Sequence, residues 1–184
     1  MMKWFLRRRI AAFEREWHYD TSYLHDLIEA DPRAMMLFGK AIALGRYRKD
    51  APPVACFAAG FVGVRSEDCG PSAQLSDDMA LSAGMDPAVV RAVVAHDLAA
   101  MPDDAALAVR FAEATLRHGI EADELRDEIV RRWGRRGLVS LAFAITASRL
   151  YPTLKYALGH GRACTRVTVE GEPCAMPQPA AQAA

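Results

Sequence analysis

Asp86-Pro-Ala-Val-Val-Arg-Ala-Val-Val94 holds, in one short stretch, both the residues that start a helix and the residues that pack it. An aspartate followed by proline is typical of an N-cap and a first helical turn. Apolar side chains then recur at Val90, Val93 and Val94, and Leu98 would continue the same face. The stretch therefore predicts a helix that packs one face against a core.

The sequence downstream contains three more helical segments. Residues 102–119 begin with Pro-Asp, carry apolar residues on one face and end at His-Gly, as a capped amphipathic helix does. Residues 121–133 carry apolar side chains at four-residue steps. Residues 138–150 are apolar nearly all round, which indicates a helix buried on every side or placed in a subunit interface. We expect Tyr151-Pro152 to end or kink this last helix.

The N-terminal segment, residues 1–20, predicts an amphipathic helix with an arginine-rich outer face. Such a helix can lie on a membrane surface. Because Glu14 and Glu16 offset part of the positive charge, we expect instead a surface helix docked on the protein body. Two more helical stretches follow in 23–47, separated at Asp31-Pro32.

The C-terminal part is the least regular. Only Thr165 to Val169 alternates like a strand, and no partner strand is evident. The segment 171–184 is rich in Pro, Ala and Gln and is expected to be disordered. Together these patterns predict an all-α, single-domain helical bundle in residues 21–170, preceded by the N-terminal helix and followed by that tail.

Composition excludes several classes of protein. The 184 residues carry equal numbers of basic and acidic side chains, 23 of each, which argues against a nucleic-acid binder that neutralises phosphates. A hydrophobic fraction of 52% excludes a disordered chain, and no apolar run is long enough to span a membrane. Four scattered cysteines and the lack of a secretory signal lead us to expect a reduced, cytoplasmic protein.

Metal and cofactor signatures are not found in the sequence. The five histidines and four cysteines show no spacing typical of a zinc site. No glycine-rich loop of the phosphate-binding kind is present. We therefore expect neither a metal nor a cofactor.

The segment Arg65-Ser-Glu-Asp-Cys-Gly-Pro-Ser-Ala-Gln-Leu-Ser76 places a cysteine next to a helix start. Free backbone amides and the positive end of the helix dipole at Cys69 favour a thiolate, the nucleophilic form. Glu67 and Asp68 oppose a thiolate by their charge, although either can accept a proton. Ser72 stands where a second cysteine would complete Cys-x-x-Cys, and a serine cannot form a disulfide. A lone cysteine here can equally be a small buried residue.

Residues 67–86 resemble the carboxymuconolactone decarboxylase and alkylhydroperoxidase D-like superfamily. The match is to the branch whose redox segment reads Glu-Asp-Cys-Gly-Pro-Cys, and it rests on Glu67-Asp-Cys-Gly-Pro-Ser-Ala-Gln-Leu75 followed by Asp78-Met-Ala-Leu-Ser-Ala-Gly-Met-Asp86. Residues 106–114 and 137–145 are similar to the family's following helices. The resemblance covers roughly residues 20 to 165 and implies a helical domain of the alkylhydroperoxidase D-like type that forms dimers, trimers or hexamers.

In redox-active members of that superfamily a Cys-x-x-Cys pair reduces hydroperoxides or exchanges with a partner's disulfide. The resemblance implies that Cys69 is the first cysteine and that Ser72 replaces the second, which attacks peroxide in the best-known peroxidases. Ser76 and Phe57 hold the places of the family's histidine and glutamate, so the usual proton relay is missing. Ser72 is either natural, which makes this a degenerate homologue, or a Cys→Ser replacement that silences the site.

The resemblance therefore implies a thiol-dependent antioxidant with its redox site at Cys69-Gly-Pro-Ser72 and with Glu67 and Asp68 as neighbouring acids. A hydroperoxide or another small molecule would be the substrate and a dithiol protein the reductant. One alternative is a decarboxylase of a small lactone acid, for which Arg65 and His160 are candidate residues. The other is a non-catalytic, oligomeric interaction protein whose N-terminal helix faces its partner.

Overall fold

Helices make up most of residues 1–161 and 166–177, which are the parts of the chain that this computed structural model describes. The elements are α1 Met2–Trp17, α2 Ser22–Ala30, α3 Pro32–Ile42, a 3-10 turn Ala43–Arg46, α4 Pro53–Arg65, α5 Gly70–Ser82, α6 Pro87–Val94, α7 Asp103–Arg117, α8 Ala122–Ala157, β1 Arg166–Val169 and β2 Glu172–Ala175. The predicted all-α class is confirmed.

Capping residues read from the sequence begin and end helices as expected. The side chain of Asp86 accepts a hydrogen bond from Ala88 N at 2.8 Å, and Pro87 is the first residue of α6. His118 ends α7 with a left-handed backbone, φ 56°. The expectation for Leu98 was wrong, because α6 already ends at Val94 and Leu98 lies 37% exposed beyond it.

The main core surrounds α4, which packs against both α7 and α8. Ten of its thirteen residues are buried, since its side chains are apolar or small on all faces. Gly63 lies where α8 comes closest. A Cβ at this position would sit 2.9 Å from the carbonyl oxygen of Ile145, nearer than side chains normally approach. The missing side chain of Gly63 thus allows α8 to lie directly on α4.

A second apolar cluster joins the N-terminal helices to the body. Its buried members are Ile10, Tyr19, Tyr23, Leu24 and Ile28. They pack against Leu75 of α5 and against Tyr151 and Leu154 of α8. The N-terminal helix α1 is therefore docked on the rest of the protein through one face.

Helix α8 differs from the sequence expectation in two ways. The backbone is non-helical at Gly134, so two helical segments are joined there, and Pro152 lies inside the second segment without ending it. Residues 138–150 are not buried on every side in the single chain. Leu141 is fully buried, whereas Val139 on the opposite face is 38% exposed. In the described parts of the chain, no helix has both the length and the apolarity needed to cross a membrane.

The C-terminal segment contains a strand that the sequence did not reveal. β1 pairs with β2 in antiparallel register, with Val167 opposite Cys174. The expectation of disorder after Gly171 was therefore wrong for residues 172–175, while 178–184 and Thr165 lie outside the described residues. The amide side chain of Gln74 holds the hairpin on α5: it donates to the Thr168 carbonyl at 2.9 Å and accepts from Thr168 N at 2.7 Å.

The close approach at Gly63 predicts opposite effects of two Gly→Ala substitutions. Gly63→Ala should lower the free energy of unfolding by about 1–3 kcal/mol, because the added methyl forces α4 and α8 apart. Gly39→Ala, in α3, is the matched control, since no atom lies within 4 Å of its new Cβ. It should raise stability by about 0.5–1 kcal/mol through helix propensity. Urea unfolding measures both, and equal effects of the two substitutions would contradict the packing argument.

Asp77 predicts a pH-dependent stability. It is fully buried on α5, and neither carboxylate oxygen has a hydrogen-bond partner among the described residues. Burial, helped by the charge of Asp78, raises the pKa of Asp77 to about 8. The native state therefore keeps a proton that the unfolded chain releases above about pH 4. Stability should fall as pH rises from about 4 to 8, by up to about 1.4 kcal/mol per pH unit.

Asp77→Asn should flatten this slope, because an amide does not titrate in that range. The control is Asp127→Asn, an exposed aspartate on α8, which should leave the slope unchanged. Urea unfolding across the same pH range tests both variants. An unaltered slope in Asp77→Asn would show that other groups cause the pH dependence.

Candidate functional site

Cys69 occupies the N-cap of α5, as the sequence predicted. Its carbonyl oxygen accepts hydrogen bonds from Ser72 N at 3.1 Å and Ala73 N at 3.0 Å, which closes the first helical turn. The turn brings the two predicted redox positions together: Cys69 Sγ lies 3.1 Å from Ser72 Oγ. Cys69 has no exposed surface and Ser72 is 6% exposed. The pair is thus buried under the N-terminal helices.

Two further side chains extend this pair into a buried polar chain, Lys155–Tyr19–Ser72–Cys69. The hydroxyl of Tyr19 lies 3.3 Å from Ser72 Oγ, and Lys155 Nζ donates to the same hydroxyl at 3.3 Å. An ammonium group can only donate, so the Tyr19 oxygen accepts from Lys155. The Tyr19 hydroxyl keeps its proton and a second lone pair, so it can either donate to Ser72 or accept from it.

Lys155 is a buried cation in an aromatic environment. It is 1% exposed and forms no ion pair with a carboxylate of the described residues. Its ammonium nitrogen lies 4.4 Å from the ring centre of Tyr19 and 5.3 Å from that of Tyr23, which are cation–π distances. Desolvating an ammonium is costly, so these two rings and one hydrogen bond stabilise a group that would otherwise disfavour folding.

Two more tyrosines lie near this polar chain. Burial, together with the nearby Tyr19 hydroxyl, raises the pKa of Tyr23, and burial raises the pKa of Tyr151 to about 12. Both phenols therefore stay protonated at neutral pH. Thr21 Oγ1, at the N-cap of α2, is buried without a hydrogen-bond partner among the described residues.

The two predicted acids do not contact the thiol. Glu67 accepts from Arg149 Nε at 2.5 Å and from Thr153 Oγ1 at 3.0 Å, which ties it to α8. Asp68 has a left-handed backbone, φ 50°, and its carbonyl oxygen accepts from the Tyr156 hydroxyl at 2.8 Å. No hydrogen bond joins either carboxylate to Cys69 in the described part of the chain. Their observed role is to hold the loop before α5 against α8.

Sequence reasoning missed Tyr19 and Lys155. The two residues are 136 positions apart, and only the packing of the N-terminal helices on α8 brings them together. The one available signal was a lysine in an otherwise apolar run, Leu154-Lys-Tyr-Ala157. Such a lysine more often reaches solvent along a helix surface, so the signal was weak.

The residues suggested for the decarboxylase alternative lie in separate ion pairs. Arg65 is buried and pairs with Glu113, which also contacts His96 Nε2 at 2.7 Å. His160 Nε2 lies 2.7 Å from Asp26 Oδ2. The structure does not bring Arg65 and His160 into one site.

The remaining described cysteines offer no competing site. Cys56 and Cys174 are buried, and burial raises the pKa of both thiols. Two surface depressions lie along α7 and α8, and neither includes Cys69 or Ser72. Cys69 has no exposed surface, so a reagent reaches its thiol only after a local opening of the structure.

No protein-family model, no curated protein and no solved structure matches the chain. The superfamily assignment therefore rests on the resemblance of residues 67–86 and the helices that follow them.

The polar chain predicts that removing the Tyr19 hydroxyl lowers the free energy of unfolding. Tyr19→Phe takes away the oxygen that Lys155 donates to and leaves a buried ammonium without a hydrogen bond. The free energy of unfolding should fall by about 1–3 kcal/mol. Tyr47→Phe is the control, because the Tyr47 hydroxyl makes no hydrogen bond within the described residues. Equal losses in the two variants, measured by urea unfolding, would contradict the importance of this bond.

Proposed function

We propose that the protein is a thiol-dependent antioxidant of the alkylhydroperoxidase D-like type, acting on hydroperoxides or disulfides. Its redox site is Cys69 together with position 72, and serine at that position impairs the present chain. The observation that carries the proposal is the 3.1 Å separation of Cys69 Sγ and Ser72 Oγ in a buried first helical turn. A reduced cytoplasmic location and a dithiol protein as reductant belong to the same proposal.

The geometry supports a disulfide at these two positions. A disulfide bond is about 2.05 Å long, so a sulfur in place of Ser72 Oγ needs to approach Cys69 by only about 1 Å. The two residues are three apart across the first helical turn, where the backbone already directs both side chains to the same side. Little backbone movement is then needed to form and to break the bond.

The reaction would balance as follows in a chain with cysteine at 72. Its thiolate attacks one peroxide oxygen, an S–O bond forms, the O–O bond breaks, and the alkoxide leaves with a proton. The product is a sulfenic acid. Cys69 then attacks that sulfur, the S–S bond forms, and hydroxide leaves as water. An external dithiol reduces the disulfide by exchange and is itself oxidised. With Ser72 the attacking thiol is absent, so neither the sulfenic acid nor the 69–72 disulfide forms.

Tyr19 and Lys155 supply the proton chemistry in this proposal. The family's histidine and glutamate are replaced by Ser76 and Phe57. The Tyr19 hydroxyl contacts position 72 directly and can donate a hydrogen bond to a thiolate there. The nearby ammonium of Lys155 favours the charged form of that thiol and can return the proton that Tyr19 gives to the leaving alkoxide.

A homo-oligomer is also part of the proposal. The segment 138–150 is apolar nearly all round, yet Val139 and Ala142 on its outer face are exposed in the single chain. Thr146 and Arg149 are exposed on the same side, which gives a small apolar patch with a polar edge, as subunit interfaces often have. The face lies on the same helix as Lys155, so assembly would also fix the position of the redox site.

Ser72→Cys should give a reversible disulfide and peroxide consumption with a small dithiol as donor. Intact mass under oxidising conditions should show the loss of two hydrogens, and peptide mapping should place the bond at 69–72. The control is Ser76→Cys, one turn further along α5, which adds a thiol that cannot reach Cys69 by a local turn. A folded Ser72→Cys protein that neither forms the disulfide nor consumes peroxide would refute the proposal.

The same variant tests the roles of Tyr19 and Lys155. In the Ser72→Cys protein, Lys155→Met should raise the pH at which the thiol at 72 reacts with a small alkylating reagent. The 69–72 disulfide should still form, because the methionine preserves the volume of the buried stem. An unchanged pH profile would remove Lys155 from the mechanism and leave the redox pair itself unaffected.

A further inference from the structure

The outer face of α1 is a surface that the proposed redox function does not use. Trp4 is 63% exposed and Phe5 is 56% exposed, whereas Ile10 on the inner face is buried. Aromatic side chains of this size are normally covered, and neighbouring exposed ones mark an interaction site.

Two segments of this region are locally basic, within a stretch 1–49 that carries ten basic and six acidic residues. Residues 1–13 contain four basic and no acidic residues, and residues 32–49 contain five basic and none acidic. The whole chain has a formal net charge of zero, so the basic character is local. The second of these segments is α3 with the turn that follows it, and α3 contacts α1.

Arginines on the outer face of α1 are available to an external anion. Arg8 and Arg9 form no ion pair within the described residues. The guanidinium of Arg8 lies 5.5 Å from the ring centre of Trp4, and that of Arg9 lies 5.9 Å from Phe5. Arg7, in contrast, pairs with Glu29 of α2. The outer face therefore combines cations with aromatic rings in direct contact.

The two glutamates of α1 offset its arginines only in part. Helical spacing places Trp4, Arg8 and Arg15 on the side away from Ile10, whereas Glu14 lies near Ile10 and is half-buried. Glu16 is exposed and shares the direction of Phe5 and Arg9, but it lies two to three turns further along the helix. The N-terminal turns that carry Trp4, Phe5, Arg8 and Arg9 therefore contain no acidic residue.

Helix α3, which contacts α1, carries an exposed stripe of similar chemistry. None of its residues is fully buried, and Met36 and Leu37 are 44% and 65% exposed. Arg33 and Lys40 flank this apolar pair, one turn away on either side. We call the combined surface the basic aromatic face; it consists of Trp4, Phe5, Arg8, Arg9, Arg33, Met36, Leu37 and Lys40.

We propose that the basic aromatic face binds the surface of an anionic phospholipid membrane, with α1 lying in the interface. Tryptophan and phenylalanine insert between headgroups and acyl chains, while arginines contact lipid phosphates.

Other occupants fit this face less well. A nucleic acid would neutralise the arginines but leave Met36 and Leu37 in water. A two-fold dimer through this face would bring its positive charges against their own copies, which is unfavourable. A planar anionic surface satisfies both the charges and the apolar groups.

The full chain should float with vesicles of phosphatidylcholine and phosphatidylglycerol, and not with phosphatidylcholine alone. Binding should weaken as salt is raised, because the attraction is electrostatic. The double substitution Arg8→Gln with Arg9→Gln should lower the association constant by about thirtyfold. Trp4→Ala with Phe5→Ala should weaken binding too, and it should abolish the blue shift of fluorescence that Trp4 gives on insertion.

Two controls separate this face from general surface effects. Arg135→Gln removes an exposed arginine of α8, and Ile120→Ala removes a residue that is 93% exposed. Both should bind vesicles as the unaltered protein does. The proposal is overturned if the folded protein does not float with anionic vesicles at low salt, or floats equally well with neutral ones. It is also overturned if the controls weaken binding equally, or if Trp4→Ala with Phe5→Ala changes only self-association.

Discussion

The close packing of α8 on α4 is the constraint on which the rest of the structure depends. Because Gly63 has no side chain, its backbone can lie close to the carbonyl oxygen of Ile145 in α8. The second half of α8 is then held over the loop before α5, where Arg149 binds Glu67 and Tyr156 binds the Asp68 carbonyl. The same stretch of α8 carries Lys155. The α4–α8 contact thus helps to place both the loop before α5 and the buried Lys155 beside Ser72 and Cys69.

The polar chain at this site shows how a protein keeps a charge in its interior. Lys155 lacks a described carboxylate partner, and two tyrosine rings and one hydroxyl take that place. Hydrogen bonds from Ser22 and, at longer range, the charge of Lys155 lower the pKa of Asp20, so a carboxylate also acts on this cation from a distance. The Glu67 carboxylate and the Asp68 backbone carbonyl, in contrast, tie the loop before α5 to α8.

Local features of the chain were predictable, and long-range contacts were not. Asp86 and His118 begin and end their helices through contacts with residues adjacent in sequence. The helix start at Cys69 follows from Pro71, two residues later in the sequence. Capping chemistry was therefore sufficient to predict these helix ends. The pairing of Tyr19 with Lys155 depends on how distant helices pack, which no local pattern records. β2 was missed for a related reason, since the short segment Glu172–Ala175 lacks strand alternation and becomes a strand only against β1.

The complete burial of Cys69 limits how fast its thiol can react as well as what can reach it. A reagent can react only during an opening of the helices that cover the site, so the frequency of openings limits the rate. Small-thiol buffers in the cell would then equilibrate slowly with this residue, whatever their reduction potential. The oxidation state of Cys69 would then depend on how often the structure opens and not on equilibrium with these thiols. Slow amide hydrogen exchange in α1 and α2 would report the same rare openings.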